Sequence, residues 1–258
     1  MAAASPEPKP TVVVTGAGGG IGAATARLLA EAGTSLVLVG RSRGALEETV
    51  ASLPAGAAVV VHSADVSSAS DCRAIARTAT ETFGRIDGIV NSAGVSMRSP
   101  LEELSHGDLA RTYEVNAIGP VQLTLSCLDG LRASASPSVV MLSSALAVVP
   151  KADQLAYGMS KAALEYATRA LAHGLAQYGI RVNAIAPGPV ASPIHDTLFD
   201  DLEAAYARMS ATTLVGRLGN VDEVATWVTK LLDPSSAWVT GSVIRVDGGR
   251  TVWPITAA

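Results

Sequence analysis

Thr11-Val-Val-Val-Thr-Gly-Ala-Gly-Gly-Gly-Ile-Gly-Ala-Ala-Thr-Ala-Arg-Leu-Leu-Ala30 decides the fold. Thr11 to Thr15 is an unbroken β-branched run, apolar on both faces, and reads as a buried strand. From Ile21 to Ala32 the apolar positions recur at helical spacing, so a helix follows. The turn between them is almost all glycine. Without side chains its backbone can approach a diphosphate closely, and the helix N-terminus offers unpaired N–H groups and a positive dipole end. Gly16 permits the tight turn, Gly20 the close approach and Gly22 the seating of helix on strand. A glycine cluster alone also fits an ordinary loop; its place between strand and helix favours a nucleotide site.

The rest of the chain repeats this alternation. Short β-branched runs occur at Thr11–Thr15, Leu36–Val39, Val59–His62, Ile86–Asn91, Val139–Ser143, Arg181–Ile185 and Val243–Val246, with amphipathic segments such as Ala45–Leu53 and Asp71–Phe83 between them. Strands apolar on both faces and joined by helices predict an α/β fold, a parallel sheet with both faces covered by right-handed crossovers. At 258 residues, with no internal repeat or linker, residues 11–258 read as one domain. Met1 to Pro10 has no apolar core of a signal peptide and reads as a disordered tail.

Composition removes other classes. The net charge is −4 and the 19 basic residues are scattered, which leaves no footprint for nucleic acid. The apolar runs are too short to span a bilayer, so no membrane partner is expected. Cys72 and Cys127 fall in expected helices without metal-ligand spacing and read as buried thilos of a reducing cytoplasm, thiols rather than ligands. His62, His106 and His173 share no spacing with acids or cysteines, so no metal site is expected.

A second constellation carries chemistry. Tyr157 and Lys161 are four apart at the start of the helix expected over Leu155–Tyr178, hence on one face. Ser144 follows the strand Val139–Ser143, where its hydroxyl can face the phenol. A phenol has a pKa of ~10, and a neighbouring ammonium would bring it within reach of acid/base work. The serine can hold a carbonyl or alcohol oxygen in place. Taken alone, the three residues also fit an aromatic contact, a surface lysine and a helix-start serine.

Thr15-Gly-x-x-x-Gly-x-Gly22, Asn91-Ser-Ala-Gly94, Ser144, Tyr157-x-x-x-Lys161 and Pro187-Gly188 occur in that order. Together they resemble the single-domain short-chain dehydrogenases/reductases, over about Thr11 to Gly249. The resemblance implies a Rossmann-type, doubly wound, seven-stranded parallel sheet and a catalytic tetrad of Asn116, Ser144, Tyr157 and Lys161. It also implies a nicotinamide cofactor. Gly16, Gly20, Ile21 and Gly22 would meet its diphosphate, and Asp65-Val66 its adenine end. Asn91, Ala93 and Gly94 would shape the adenine pocket and brace the sheet; Ser92 departs from the family's asparagine. Tyr157 and Lys161 would reach the ribose, and Pro187, Gly188, Val190 and Ser192 the nicotinamide. Ser192 stands where the family usually has threonine. Asn116 would support a proton path to Lys161; by itself it reads as a polar residue in a helix disrupted by Gly119 and Pro120.

Cofactor choice rests on Leu38-Val-Gly-Arg-Ser-Arg43. An NAD site would usually carry an acid at Gly40, on the ribose hydroxyls. Here Arg41 follows a glycine and Ser42 adds a donor, which favours the 2′-phosphate of NADP(H), with NAD(H) as the alternative. Gly19 offers no second cation. The expected reaction interconverts a ketone and a secondary alcohol on a small-molecule substrate. A catalytically silent nucleotide-binding regulator is the reading of another class, and it would be expected to lack part of the tetrad. Substrate loops are placed at Val95–Arg98, Ala145–Gln154 and a lid near 192–216, where Leu198, Phe199, Leu202, Tyr206 and Met209 recur at helical spacing. Arg98 and Lys151 read as solvated charges, although either could meet a carboxylate, and His195 as a rim residue. Trp238–Gly249 resembles the family's last strand, which in many members packs against its mate in a tetramer; an edge strand this apolar would be a pairing hazard if exposed, so a homotetramer is expected, with a dimer as runner-up.

Overall fold

The computed structural model describes residues 9–192, 199 and 201–252. Seven strands form one parallel sheet: β1 Thr11–Thr15, β2 Ser35–Gly40, β3 Val59–Ser63, β4 Gly88–Asn91, β5 Ser138–Leu142, β6 Arg181–Pro187 and β7 Val243–Val246. Their order is β3-β2-β1-β4-β5-β6-β7. All six pairings are parallel, with Thr15 level with Val39 on one side and with Asn91 on the other.

Alternation of side chains along the strands builds two cores. Val13, Val37, Val39, Ile89, Val139 and Met141 face α3 (Ala69–Phe83), α5 (Gly119–Ser126) and α7 (Leu155–Leu175). Val12, Val14, Leu36, Leu38, Val90 and Val140 face α1 (Gly20–Glu31), α2 (Arg43–Ala51) and α9 (Val221–Leu232). Each such Val, Ile or Leu contributes roughly 1.5–3 kcal/mol on full burial. The described residues also hold α4 His106–Tyr113, α6 Leu128–Arg132 and α8 Leu202–Ser210. Helix starts are set locally, as where Ser105 and Asp108 form a capping box at α4.

Most element ends shift by one or two residues from expectation, and three differences have a local cause. β4 begins at Gly88 rather than Ile86, because the Asp87 carboxylate accepts the Thr11 N–H at 2.8 Å and is gripped by Arg85. The long helix ends its α-helical part at Leu175 and tightens into a 3₁₀ turn over Ala176–Tyr178 before the left-handed Gly179. Gly119 and Pro120 do not break their helix. Residues Glu114–Ile118 form a π-helical turn between α4 and α5, with Gly119 N–H reaching back to the Glu114 carbonyl. A single π turn shifts the ladder by one residue, and such turns recur at functional sites. The first eight residues, Ile194, His195, Leu198 and the rest of 193–198 lie outside the described residues, and with them the expected tail and the first part of the expected lid.

Candidate active site

The strand order reverses between β1 and β4, and a cleft of about 140 Å³ opens at their C-terminal ends. Open α/β sheets take ligands at this point. Gly16 has φ +65° and its missing side chain leaves room for Ala93, whose N would lie 2.8 Å from a Cβ there. A Cβ on Gly22 would strike the Gly16 carbonyl, so α1 can only seat with glycine at this position. Thr15 ties the turn to the next loop: its hydroxyl oxygen accepts the N–H groups of Ser92 and Ala93 at 3.1 and 3.0 Å.

Gly16, Arg41, Asp65, Val66, Ala93 and Gly94 all border this cleft. Arg41 is exposed and forms no ion pair among the described residues. Ser42 caps α2, accepting from Ala45 N–H at 3.4 Å, so its hydroxyl oxygen is partly engaged. The Asp65 carboxylate is also engaged, by the Ser67 hydroxyl at 2.7 Å and Arg111 at 2.9 Å. Those donors, led by Ser67, hold it at about 2, well below the ordinary carboxylate. Asn91 turns into the core, where its amide donates to Met141 Sδ and Thr124 Oγ1; its part is to brace the sheet. Arg111, on α4, borders the cleft as well. Nothing in the local sequence marks that residue, since its partner Asp65 is 46 positions away.

The four tetrad candidates meet at the ends of β4 and β5. Ser144 stands in extended backbone two residues after β5, and its hydroxyl lies against the Tyr157 phenol on α7. Lys161, one turn further along α7, is only 4 % exposed. Its Nζ lies 5.6 Å from the Tyr157 ring centre and donates to the Leu142 carbonyl at 2.7 Å. Asn116, fully buried on the π turn, accepts Val95 N–H at 2.8 Å and donates to the Val95 carbonyl and Ser160 Oγ. Gly94 lies between them: a Cβ there would be 3.3 Å from Asn116 Oδ1 and 3.6 Å from Lys161 Nζ.

Burial dominates the electrostatics. It pushes the Lys161 ammonium down to about 8. It pushes the Tyr157 phenol up, with the Ser144 hydroxyl pulling the other way. This differs from the expected depression of Tyr157 by Lys161. The ammonium sits over the ring face and spends a donor on Leu142, while desolvation penalises a phenolate directly.

On the far side, β6 ends at Pro187, and Gly188 N–H pairs with the Val246 carbonyl at 3.0 Å. Val190 is buried and forms a bridge with Gly219; it borders a second cleft of about 400 Å³. Ser192 is partly exposed just beyond it. Leu202, Tyr206 and Met209 lie on α8, whose buried residue is Ala205. Arg98 is not simply solvated: its Nε donates to Asp153 at 2.8 Å, and its guanidinium lies 4.9 Å from the Phe199 ring centre. Among the described residues, no three His, Cys, Asp or Glu side chains converge as metal ligands would.

This fold and site define a nicotinamide-linked oxidoreductase class, and comparison with known proteins agrees. The family model for Enoyl-(Acyl carrier protein) reductase matches residues 16–251. The short-chain reductase protein NovJ of Streptomyces niveus is 35 % identical over 92 % of each chain. The cis-4-hydroxycyclohexanecarboxylate dehydrogenase of Sinomonas cyclohexanicum is 36 % identical over 93 % of this chain and 95 % of its own. The structure of an actinorhodin polyketide ketoreductase with NADPH superposes with a TM-score of 0.88 at 29 % identity, covering 95 % of this chain and 98 % of that one. The chain belongs to the short-chain dehydrogenase/reductase family. It is an oxidoreductase acting on CH–OH and C=O groups.

Proposed function

We propose that the protein is an NADP(H)-dependent ketoreductase that interconverts a ketone and a secondary alcohol, with Tyr157 as general acid/base. The observation that carries this reading is the meeting of Ser144, Tyr157, Lys161 and Asn116 beside Gly94, at the rim of the Gly16 cleft. The cleft suits the cofactor: glycine backbone lies where a Cβ would fill the cradle, and α1 begins there. Gly16, Gly20, Ile21 and Gly22 would hold the diphosphate, Asp65, Val66 and Ala93 the adenine end, and Pro187, Gly188, Val190 and Ser192 the nicotinamide. The bound cofactor supplies or accepts the hydride at the carbonyl carbon.

Tyr157 donates its phenolic proton to the carbonyl oxygen as that carbon is reduced. Ser144 donates a hydrogen bond to the same oxygen and so fixes its position. The raised pKa keeps Tyr157 protonated at neutral pH, which suits reduction. Lys161 lends positive charge to the phenolate that forms, and Asn116 holds the loop at Val95 beside the path by which the proton is restored.

The 2′-phosphate preference rests on Arg41, which borders the cleft with no acid paired to it, and on Gly40 where an NAD site would carry an acid. The NADPH-bound relative lends analogy. We also infer one domain over 11–258 with α8 as part of a substrate lid, a homotetramer, and a cytoplasmic setting in keeping with two unpaired, buried cysteines. The test of function is NADPH oxidation across a panel of ketones and β-keto thioesters. Saturable oxidation with at least one ketone is expected; none across the panel would overturn the reading.

A further inference from the structure

Four cations lie within reach of one another around the loop that leads into α7, and one acid is paired among them. Arg98 lies on the loop after β4, Lys151 on the loop between β5 and α7, Arg208 in the last turn of α8, and Arg250 in the turn after β7. Asp153, four residues before Tyr157, accepts from Arg98 at 2.8 Å and stands 3.9 Å from Lys151 Nζ. The loops that carry them are stitched together: Ser99 N–H donates to the Asp153 carbonyl at 2.9 Å, and Gln154 Nε2 to Ser96 Oγ at 3.2 Å. The Arg98 loop also meets Asn116 through Val95, and Asp153 stands four residues before Tyr157, so both loops adjoin the tetrad. Arg250 donates to the Thr212 carbonyl at 3.4 Å, which anchors it near the end of α8.

Among the described residues the charge balance here is unequal. The charges acting on Lys151 are Asp153, which favours its ammonium, and Arg98, Arg250 and Arg208, which oppose it. Burial adds to the opposition and is its largest cause, so the Lys151 pKa lies below the ordinary lysine value. Arg208 and Arg250 form no ion pair among the described residues. The acids of α8 do not compensate, because Asp201 and Glu203 stand at its start and Arg208 at its end. Cations gathered on loops that adjoin a reaction site focus a field that an anion relieves.

We propose that Arg98, Lys151, Arg208 and Arg250 bind a carboxylate of the substrate, so that oxo acids and the matching hydroxy acids are the favoured pair. This rests on the ketoreductase reading for the chemistry and names its substrate class. The Phe199 ring under Arg98 gives the guanidinium an apolar platform; Nε and Nη2 donate to Asp153, which leaves Nη1 to face a carboxylate.

The experiment compares oxo acids of increasing carbon spacing between ketone and carboxylate with their methyl esters, on the NADPH-loaded protein. In the wild type at least one acid should exceed its ester by tenfold or more in kcat/KM. In the double variant Lys151→Gln/Arg208→Gln that acid-to-ester ratio should fall at least fivefold. An equal rate for every acid and ester, or a ratio unmoved in the double variant, would overturn the proposal. Calorimetric binding of the same acids and esters supplies a reading independent of turnover. Tighter binding of an acid, lost in the double variant, upholds the cationic site even if no ketone is reduced, in which case the ketoreductase reading alone fails. Equal binding of acids and esters rejects the cationic site.

Discussion

In the proposed reaction Tyr157 carries the proton, and the expected consequence is specific. Tyr157→Phe should leave cofactor binding nearly intact and lower turnover on the order of a hundredfold or more, the scale of general acid catalysis. Near-normal turnover would remove the phenol from the mechanism. Lys161 makes a separate prediction about stability. Its ammonium is pushed down to about 8 in the fold, against 10.5 ordinarily, so between those values the unfolded chain binds the extra proton. The burden of burying the charge is fully present below about 8 and is relieved as pH rises towards 10.5. Lys161 should therefore contribute an upward slope in unfolding free energy across that window, on the order of 3 kcal/mol in all. Denaturant titrations of wild type and Lys161→Met, differenced at each pH, read it; a flat difference would contradict it. The proposed NADP(H) preference rests on Arg41. Hydrogen bonds to a charged group are worth about 1.5–3 kcal/mol, so Arg41→Ala should cut kcat/KM for NADPH roughly ten- to a hundredfold and barely alter NADH. A wild type that favours NADH would sink that assignment.

At the scale of elements, the strand–turn–helix at Thr11–Glu31 was fully legible because its constraints are local. Strand residues apolar on both faces and glycines at fixed spacing need no distant partner to be read. The expected roles of Gly16 and Gly22 correspond to real obstructions, the Ala93 backbone and the Gly16 carbonyl. Gly22→Ala should therefore unseat the start of α1, lowering the midpoint of thermal unfolding and weakening NADPH binding together. A variant that keeps both would refute the account of the turn. The π turn was not legible. Gly119 and Pro120 read as a break, whereas a Cβ on Gly119 would approach the Val66 carbonyl to 2.7 Å, so tertiary contact selects the glycine. The pairs Asp65–Arg111 and Arg98–Asp153 were hidden for the same reason: each joins segments far apart in sequence that only the tertiary fold brings together.

At the scale of the molecule, β7 closes one edge of the sheet, and Trp238 beside it is fully exposed. Trp227 on α9 is 45 % exposed. Two large apolar rings near an open strand edge favour association through this side. Light scattering at micromolar concentration should give four times the chain mass; a monomer would contradict the homotetramer. The central claim, however, is hydride transfer to a ketone with the proton supplied by Tyr157. Its most direct measurement uses NADPH deuterated at the transferable C4 position, incubated with the protein and the ketone panel, and mass analysis of the alcohol formed. The account predicts one deuterium on the carbinol carbon of a secondary alcohol with wild type and very little product with Tyr157→Phe. Absence of labelled alcohol from every ketone, or equal labelling with both proteins, would contradict it.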